Sequence, residues 1–234
     1  GFCRMKIAYT GLDLPQGKIK FNDEIFVELV KKFQPKKVSP YYFEFFPESY
    51  ELADVIMINN ECLLDLLILD IEKIESRLTR TKDLFEKEIL EKSLVQLDDQ
   101  KPICDLRWDD TEQAVIKALG LLSLTPTLVY EETSADIKLI CRDGMKKASM
   151  MFFYTVGKQE VRVWLVEKET DAATCAGKIH SDLARGFIKA EIVSYEDIMK
   201  VHSMQDARSK ELTKLVDHDY VIPANSILEI RFNV

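Results

Sequence analysis

The stretch Met150–Val166, MMFFYTVGKQEVRVWLV, decides how the C-terminal third of this chain is read. Two runs of apolar, aromatic and β-branched residues, Met150–Val156 and Glu160–Val166, flank Gly157-Lys158-Gln159. Strand-forming runs on both sides of a short glycine-containing turn predict a β-hairpin. Working outward, Ala172–Leu183 predicts a helix and FIKAEIV (Phe187–Val193) another strand. DYVI, the turn Pro223-Ala224-Asn225-Ser226 and ILEIRFNV predict a closing hairpin. Hairpin, helix, strand and hairpin are the element order of a ubiquitin-like β-grasp.

Upstream the chain reads differently. MKIAYTG (Met5–Gly11) predicts a short strand, and NDEIFVELVKKF (Asn22–Phe33) predicts a helix. Asn22 is its expected N-cap, acids fill its first turn and lysines its last. VSPYYFEFF and ADVIMIN predict buried strands. Cys62 to about Asp98 holds no Gly or Pro. Leu67, Ile71, Ile74 and Leu78, then Leu90, Leu94 and Leu97, recur at helical spacing. The pattern predicts two antiparallel helices packed as a short coiled-coil hairpin turning near Thr79–Asp83, with one long helix as the alternative. DDTEQAVIKALGLL then predicts a helix and TPTLVYEE a strand.

Composition narrows the function classes. The chain has 234 residues, 8 of them glycine, about half of what average usage of roughly 7% would supply. That disfavours an architecture built on several glycine-rich ligand loops. A formal net charge of −8 disfavours wholesale electrostatic binding to nucleic acid. Cysteines 3, 62, 104, 141 and 175 form no C-x-x-C, and no apolar run approaches the ~18 residues of a membrane span. The expectation is a reduced, soluble, cytoplasmic protein with no membrane partner. Gly1–Arg4 precede a natural-looking start at Met5 and read either as a cloning remnant or as an upstream extension.

The C-terminal segments FFYTVGKQEVRVW, CAGKIHSDLARGFIKAEIVSYEDI and DYVIPANSILEIRFNV resemble the TGS domain of the YchF family, Obg-related P-loop ATPases and GTPases. The resemblance continues in PKKVSPYYFEF, LLILDIEKIESRL, EKEILEKSLVQL and LGLLSLTPTLVY. It implies a G domain, a helical insertion and a TGS domain. The expected fold class is therefore α/β: a reduced P-loop-like layer over 1–61 and 104–148, a coiled-coil hairpin over 62–103, and a β-grasp TGS domain over 149–234.

A phosphate loop needs G-x-x-x-x-G-K-[ST], whose backbone N–H groups cradle phosphate and whose hydroxyl ligates Mg²⁺. In GLDLPQGKIKF (Gly11–Phe21) the pair Gly17-Lys18 matches, Gly11 lies one residue too far upstream, and Ile19 replaces the hydroxyl residue. The Asp-x-x-Gly segment expected after FEF reads Phe45-Phe46-Pro47-Glu48, and ETSA (Glu132–Ala135) lacks the base-reading Asn-x-x-Glu. Hydrolysis by the family mechanism is not expected, so the chain is expected not to be an enzyme and to need no cofactor. Weak ATP or GTP binding through Gly17 and Lys18 is the alternative.

His180, His202 and His218 show no metal-ligand spacing, and no metal or catalytic residue is expected. Asp98-Asp99 and Asp109-Asp110 read as helix-terminus charges, and Trp108 and Trp164 as packing anchors. Lys178, His180, Arg185 and Lys189 cluster around one helix-to-strand junction and are the candidate contacts for RNA or a partner. The leading reading is an interaction protein that binds ribosome, RNA or a protein, with homodimerisation through the helical hairpin as a weaker one.

Overall fold

The computed structural model describes residues 4–234. Cys3 lies outside them, as do Gly1 and Phe2. The chain divides into two compact units: one of the residues up to Ile19 with Phe43–Ala148, the other of Lys20–Tyr42 with Ser149–Val234.

The first unit is built on a five-stranded sheet. In chain order its elements begin with β1 (Lys6–Thr10) and β2 (Gly17–Phe21), followed by α1 (Glu24–Phe33) and β3 (Lys37–Ser39), which belong to the second unit. The first unit resumes with β4 (Tyr41–Pro47), β5 (Val55–Asn59), α2 (Leu63–Leu78), α3 (Leu84–Asp98), α4 (Asp110–Ala118), β6 (Thr127–Tyr130) and α5 (Ile137–Lys147). The strand order is β2-β4-β1-β5-β6, and β4, β1, β5 and β6 run parallel. Every residue of β5 is buried, the continuous apolar run expected of a strand covered on both faces.

The expected pair of helices is present, and the single long helix is not. Leu63, Leu66, Leu67 and Ile74 of α2 share a core with Ile89, Leu90 and Leu97 of α3 and Ile116 of α4. The chain turns between Leu78 and Leu84, where Asp83 caps α3 by accepting from the N–H groups of Phe85 and Glu86. Arg77 and Thr81 close the turn on Glu86 at 2.5 and 2.6 Å. Asp70, 1% exposed, accepts from the N–H of Leu122 at 2.7 Å, the N–H of Ser123 at 2.9 Å and the Ser123 hydroxyl at 2.6 Å. One buried carboxylate thus ties α2 to the turn after α4.

Helix α5 was not expected. Its Ile140, Cys141 and Gly144 are buried, and Gly144 faces Met57, Ile7 and Val55. A methyl added at Gly144 would lie 2.9 Å from the flexible end of the Met57 side chain, so α5 packs closely on the sheet here.

The second unit continues with β7 (Met150–Thr155), β8 (Glu160–Glu167), α6 (Ala172–Ile179), α7 (Ser181–Arg185), β9 (Phe187–Ser194), α8 (Tyr195–Ile198), α9 (Met204–Ser209), β10 (Lys214–Val216) and β11 (Ser226–Phe232). Its sheet has the order β10-β9-β11-β7-β8-β3. The β7–β8 hairpin pairs Met150 with Glu167 through Thr155 with Arg162, as its turn predicts. The closing hairpin does not form. β11 lies beside β9, antiparallel, and beside β7, parallel, while Val221 makes only an isolated bridge to Asp171. Four residues with a proline next to them cannot sustain a ladder, and the mixed sheet offers β11 two better neighbours. The helix expected over Ala172–Leu183 is broken at His180, whose extended backbone ends α6 and begins α7.

The sequence order assigned Asn22–Phe33 and the following strand to the N-terminal layer, but they build the second unit. β3 pairs in parallel with β8, Lys37 to Ser39 opposite Glu160 to Arg162. Phe21 and Tyr41 set their rings 6.0 and 5.3 Å from that of Phe152. The N-cap of α1 is Asp23 rather than the expected Asn22. Met151 and Phe153 join the core with Ala172 and Cys175 of α6, while Phe152 meets the 20–42 segment. Burial of alternate residues on opposite faces explains why MMFFYT is apolar throughout.

Candidate functional site

Residues 11–18 sit at the carboxyl end of β1, where open parallel sheets commonly bind ligands. Gly11 has φ +71°, and a methyl there would lie 2.8 Å from both the Asn59 Cβ and the Cys62 Sγ. Glycine at this point lets the chain turn tightly against the start of α2. Leu12 and Leu14 then bury their side chains, and the N–H of Asp13 donates to the Thr133 carbonyl at 2.8 Å. No helix follows: Gly17, at φ +106°, opens β2, and Lys18 is exposed on that strand. A phosphate cradle needs converging backbone N–H groups at a helix N-terminus. The leucine-filled turn and the strand behind it do not fit a nucleotide phosphate. Lys18 and Lys20 instead point out from the edge strand of the sheet, where charge discourages pairing with another chain.

In the second predicted cluster two of the four side chains are paired with carboxylates. Lys178 is exposed on α6. His180 accepts the N–H of Asp182 at its Nδ1, 3.1 Å away, and so caps α7. Arg185 is paired to Asp182 at 2.7 Å, and Lys189, on β9, to Asp217. The lysine beside Asp217 holds that carboxyl below its usual range.

The remaining singled-out residues make local contacts. Asp109 and Glu112 form a reciprocal capping box on α4. Asp98 ends α3, and Asp99, its C-cap, pairs with Lys101 at 2.6 Å. Trp108 lies under the Lys92 ammonium, 4.4 Å from the ring centre, and Trp164 stacks on Phe153 beneath the Arg162 guanidinium. The backbone N–H of His202 donates to Asp206, and the carbonyl of His218 accepts from Ala173. Among the described residues no three His, Cys, Asp or Glu side chains gather as a metal site. The four described cysteines are free, and burial pushes the thiols of Cys141 and Cys175 up to about 12, away from reactivity at neutral pH. Among the described residues no helix is long and apolar enough to cross a membrane.

The feature that residue-by-residue reading missed is a groove of about 600 Å³ between the C-terminal half of α2 and α4. Lys73, Arg77 and Arg80 line one wall, while Val115 and Leu119 lie on the other. The spacing of Lys73 and Arg77 by four residues puts them on one face of α2, with Arg80 in the turn that follows, and this is the signal that could have found it.

The fold is thus a mixed α/β architecture with a helical hairpin and a distinct C-terminal domain. Residues 150–233 match the family model YchF-GTPase_C, described as a protein of unknown function (DUF933). The C-terminal domain is thus similar to that of the YchF family. The chain is 28% identical to the ribosome-binding ATPase YchF of Bacillus subtilis (strain 168) over 237 aligned residues, covering 73% of this chain and 65% of that protein. It is 27% identical to the protein of the same name from Mycoplasma genitalium, over 100% of this chain and 56% of the relative. Human Obg-like ATPase 1 is 32% identical over 101 residues, 43% of this chain and 26% of that one. The solved structure of the Schizosaccharomyces pombe YchF GTPase shares the fold, with a TM-score of 0.80 at 16% identity, over 97% of this chain and 98% of that one. The chain therefore spans somewhat under two thirds of the first two curated relatives it matches.

These names correct one expectation. The sequence reading held that the chain is not an enzyme, yet the relatives are named ATPases and the solved structure is that of a GTPase. The departures at Gly11–Phe21, Phe45–Glu48 and Glu132–Ala135 therefore do not carry that expectation.

Proposed function

We propose that this chain works at the ribosome in the cytoplasm, with its C-terminal unit as the part that carries the contact. The observation behind the reading is that the matched residues 150–233 supply five of the six strands of one sheet. The order β8-β7-β11-β9-β10, with β7 and β11 parallel at the centre and α6 against one face, supports reading this unit as a TGS-type β-grasp. The relatives named ribosome-binding supply the partner class. In this reading Lys178, His180, Arg185 and Lys189 form one edge of the contact surface. Arg185 and Lys189 reach RNA phosphate by exchanging their carboxylate partners, Asp182 and Asp217, for it. The helical hairpin is a coiled-coil arm that supports the contact. Co-sedimentation with purified ribosomes across a salt series tests the reading, because phosphate contacts weaken steeply as salt rises.

A second reading, nucleotide handling, is favoured by the relatives' names. We read residues 11–18 as a degenerate phosphate loop. Calorimetric titration with ATP and GTP, with and without Mg²⁺, tests the second reading. Saturable binding lost in Lys18→Ala supports a contact at Lys18. Saturable binding untouched by that change assigns the nucleotide to another part of the chain, and no heat with either nucleotide removes the reading.

A further inference from the structure

The groove between α2 and α4 has two unlike walls. On one side Lys73 and Arg77 lie on the last turns of α2, and Arg80 lies in the turn just beyond its end. Arg77 is committed to Glu86 in a bidentate pair. Lys73 donates to the Gly120 carbonyl at 2.8 Å, and Arg80 to the Ser76 carbonyl and hydroxyl at 3.3 and 3.2 Å. Neither Lys73 nor Arg80 has a carboxylate within ion-pair distance among the described residues. Two exposed cations therefore remain unneutralised on a chain whose net charge is −8. The opposite wall is apolar: Val115 and Leu119 are partly buried against the hairpin core, and Ala118 presents only a methyl beside them.

We propose that this groove docks an acidic amphipathic helix from a protein partner. Two carboxylates seven residues apart on such a helix reach Lys73 and Arg80, and its apolar side lies on Val115 and Leu119. The small Ala118 side chain lets a second helix come close. Charge complementarity selects acid. The apolar wall, the absence of an aromatic ring in the lining, and the Glu86 and Asp83 carboxylates on the same rim, taken up respectively by Arg77 and by the N-terminus of α3, all disfavour RNA, which asks for stacking platforms and an unbroken basic track. The proposal does not depend on the ribosome reading, since any protein presenting such a helix would serve.

The test is fluorescence anisotropy of the full chain with a labelled 18-residue helical peptide. The peptide carries Glu at positions i, i+4 and i+7 on one face and Leu and Ala on the adjoining face. Its Glu→Lys counterpart and a 20-nucleotide RNA duplex are the comparison probes. Saturable binding of the acidic peptide, with an affinity at least tenfold above that of the basic one, is expected. It should fall at least tenfold in the double variant Lys73→Glu, Arg80→Glu and likewise in Ala118→Arg, which fills the groove without touching either cation. All three positions are solvent-exposed, and unchanged circular dichroism and thermal midpoint would show that the variants fold. Equal binding of acidic and basic peptides, no binding of the acidic one, or affinities unchanged in both variants would overturn the proposal. So would RNA that binds more tightly than the peptide and is lost in the same variants.

Discussion

The hydroxyl of Tyr154 donates to the carboxylate of Asp23, a residue 131 positions away that also caps α1. Tyr154 is fully buried in β7, and its burial and the carboxylate beside it raise its hydroxyl pKa far above the usual tyrosine value. This contact joins residues 20–42 to the C-terminal sheet. Asp23→Ala removes a cap worth about 1 kcal/mol and leaves a buried hydroxyl without its partner at a further cost of about 1–3 kcal/mol. Urea titrations of Asp23→Ala, Tyr154→Phe and the double variant should show strong non-additivity, with the double variant little worse than Asp23→Ala alone.

The matched span 150–233 should not be a complete folding unit. A fragment of residues 149–234 lacks α1, β3, Phe21 and Tyr41, and leaves Phe152 and Tyr154 open on one sheet face. It is expected to bind a hydrophobic dye and to melt broadly. Joining residues 20–42 to it through a flexible linker should restore a sharp transition.

Asp70 tests how the helical hairpin is fixed. Asp70→Ala would leave two N–H groups and a hydroxyl near the 122–124 turn without their acceptor. The expected loss is about 2–4 kcal/mol, from roughly 1–3 kcal/mol for each donor left unsatisfied and partial access of water to the turn. Hydrogen exchange should show faster amides at Leu122 and Ser123, while β7 and β8 keep their protection.

Acid should weaken the C-terminal unit through Glu191. Its side chain is 1% exposed, and hydrogen bonds from Arg208 hold its carboxyl below the ordinary 4.5, with Thr213 and the Arg231 charge adding to the effect. The unfolded chain therefore takes up the proton first as pH falls. The stabilisation is complete above the unfolded value and lost progressively as pH drops through 4.5 toward the lower folded value. Thermal midpoints measured from pH 7 to pH 3 should fall, and Glu191→Gln should start lower and show a shallower slope.

Much of this was legible in local pattern. The Gly- and Pro-free run from Cys62 announced α2 and α3, and Asp83 marked the start of the second helix. The β7–β8 hairpin followed from alternation around Gly157. The misses share a cause. Periodicity shows that NDEIFVELVKKF buries a face, yet it does not show which sheet receives it, because the pairing of β3 with β8 spans more than 120 residues. Helix α5 carries Asp136 as its cap and Ile137, Ile140, Cys141 and Gly144 at helical spacing. At the candidate site, Gly17-Lys18 matched two letters of a motif whose meaning depends on a following helix, and a strand follows instead. The groove between α2 and α4 is formed by residues far apart in sequence, so only the packing of the hairpin reveals it.

The central claim is ribosome association, and sedimentation of the full chain with purified ribosomes tests it most directly. The account predicts that the chain pellets with ribosomes at about 50 mM salt and is released progressively as salt rises toward 500 mM, the behaviour of a contact made in part to phosphate. It also predicts that reversing Lys178 and Arg185 to glutamate weakens pelleting at every salt while the thermal midpoint stays unchanged. A chain that remains in the supernatant with ribosomes even at 50 mM salt would contradict the account.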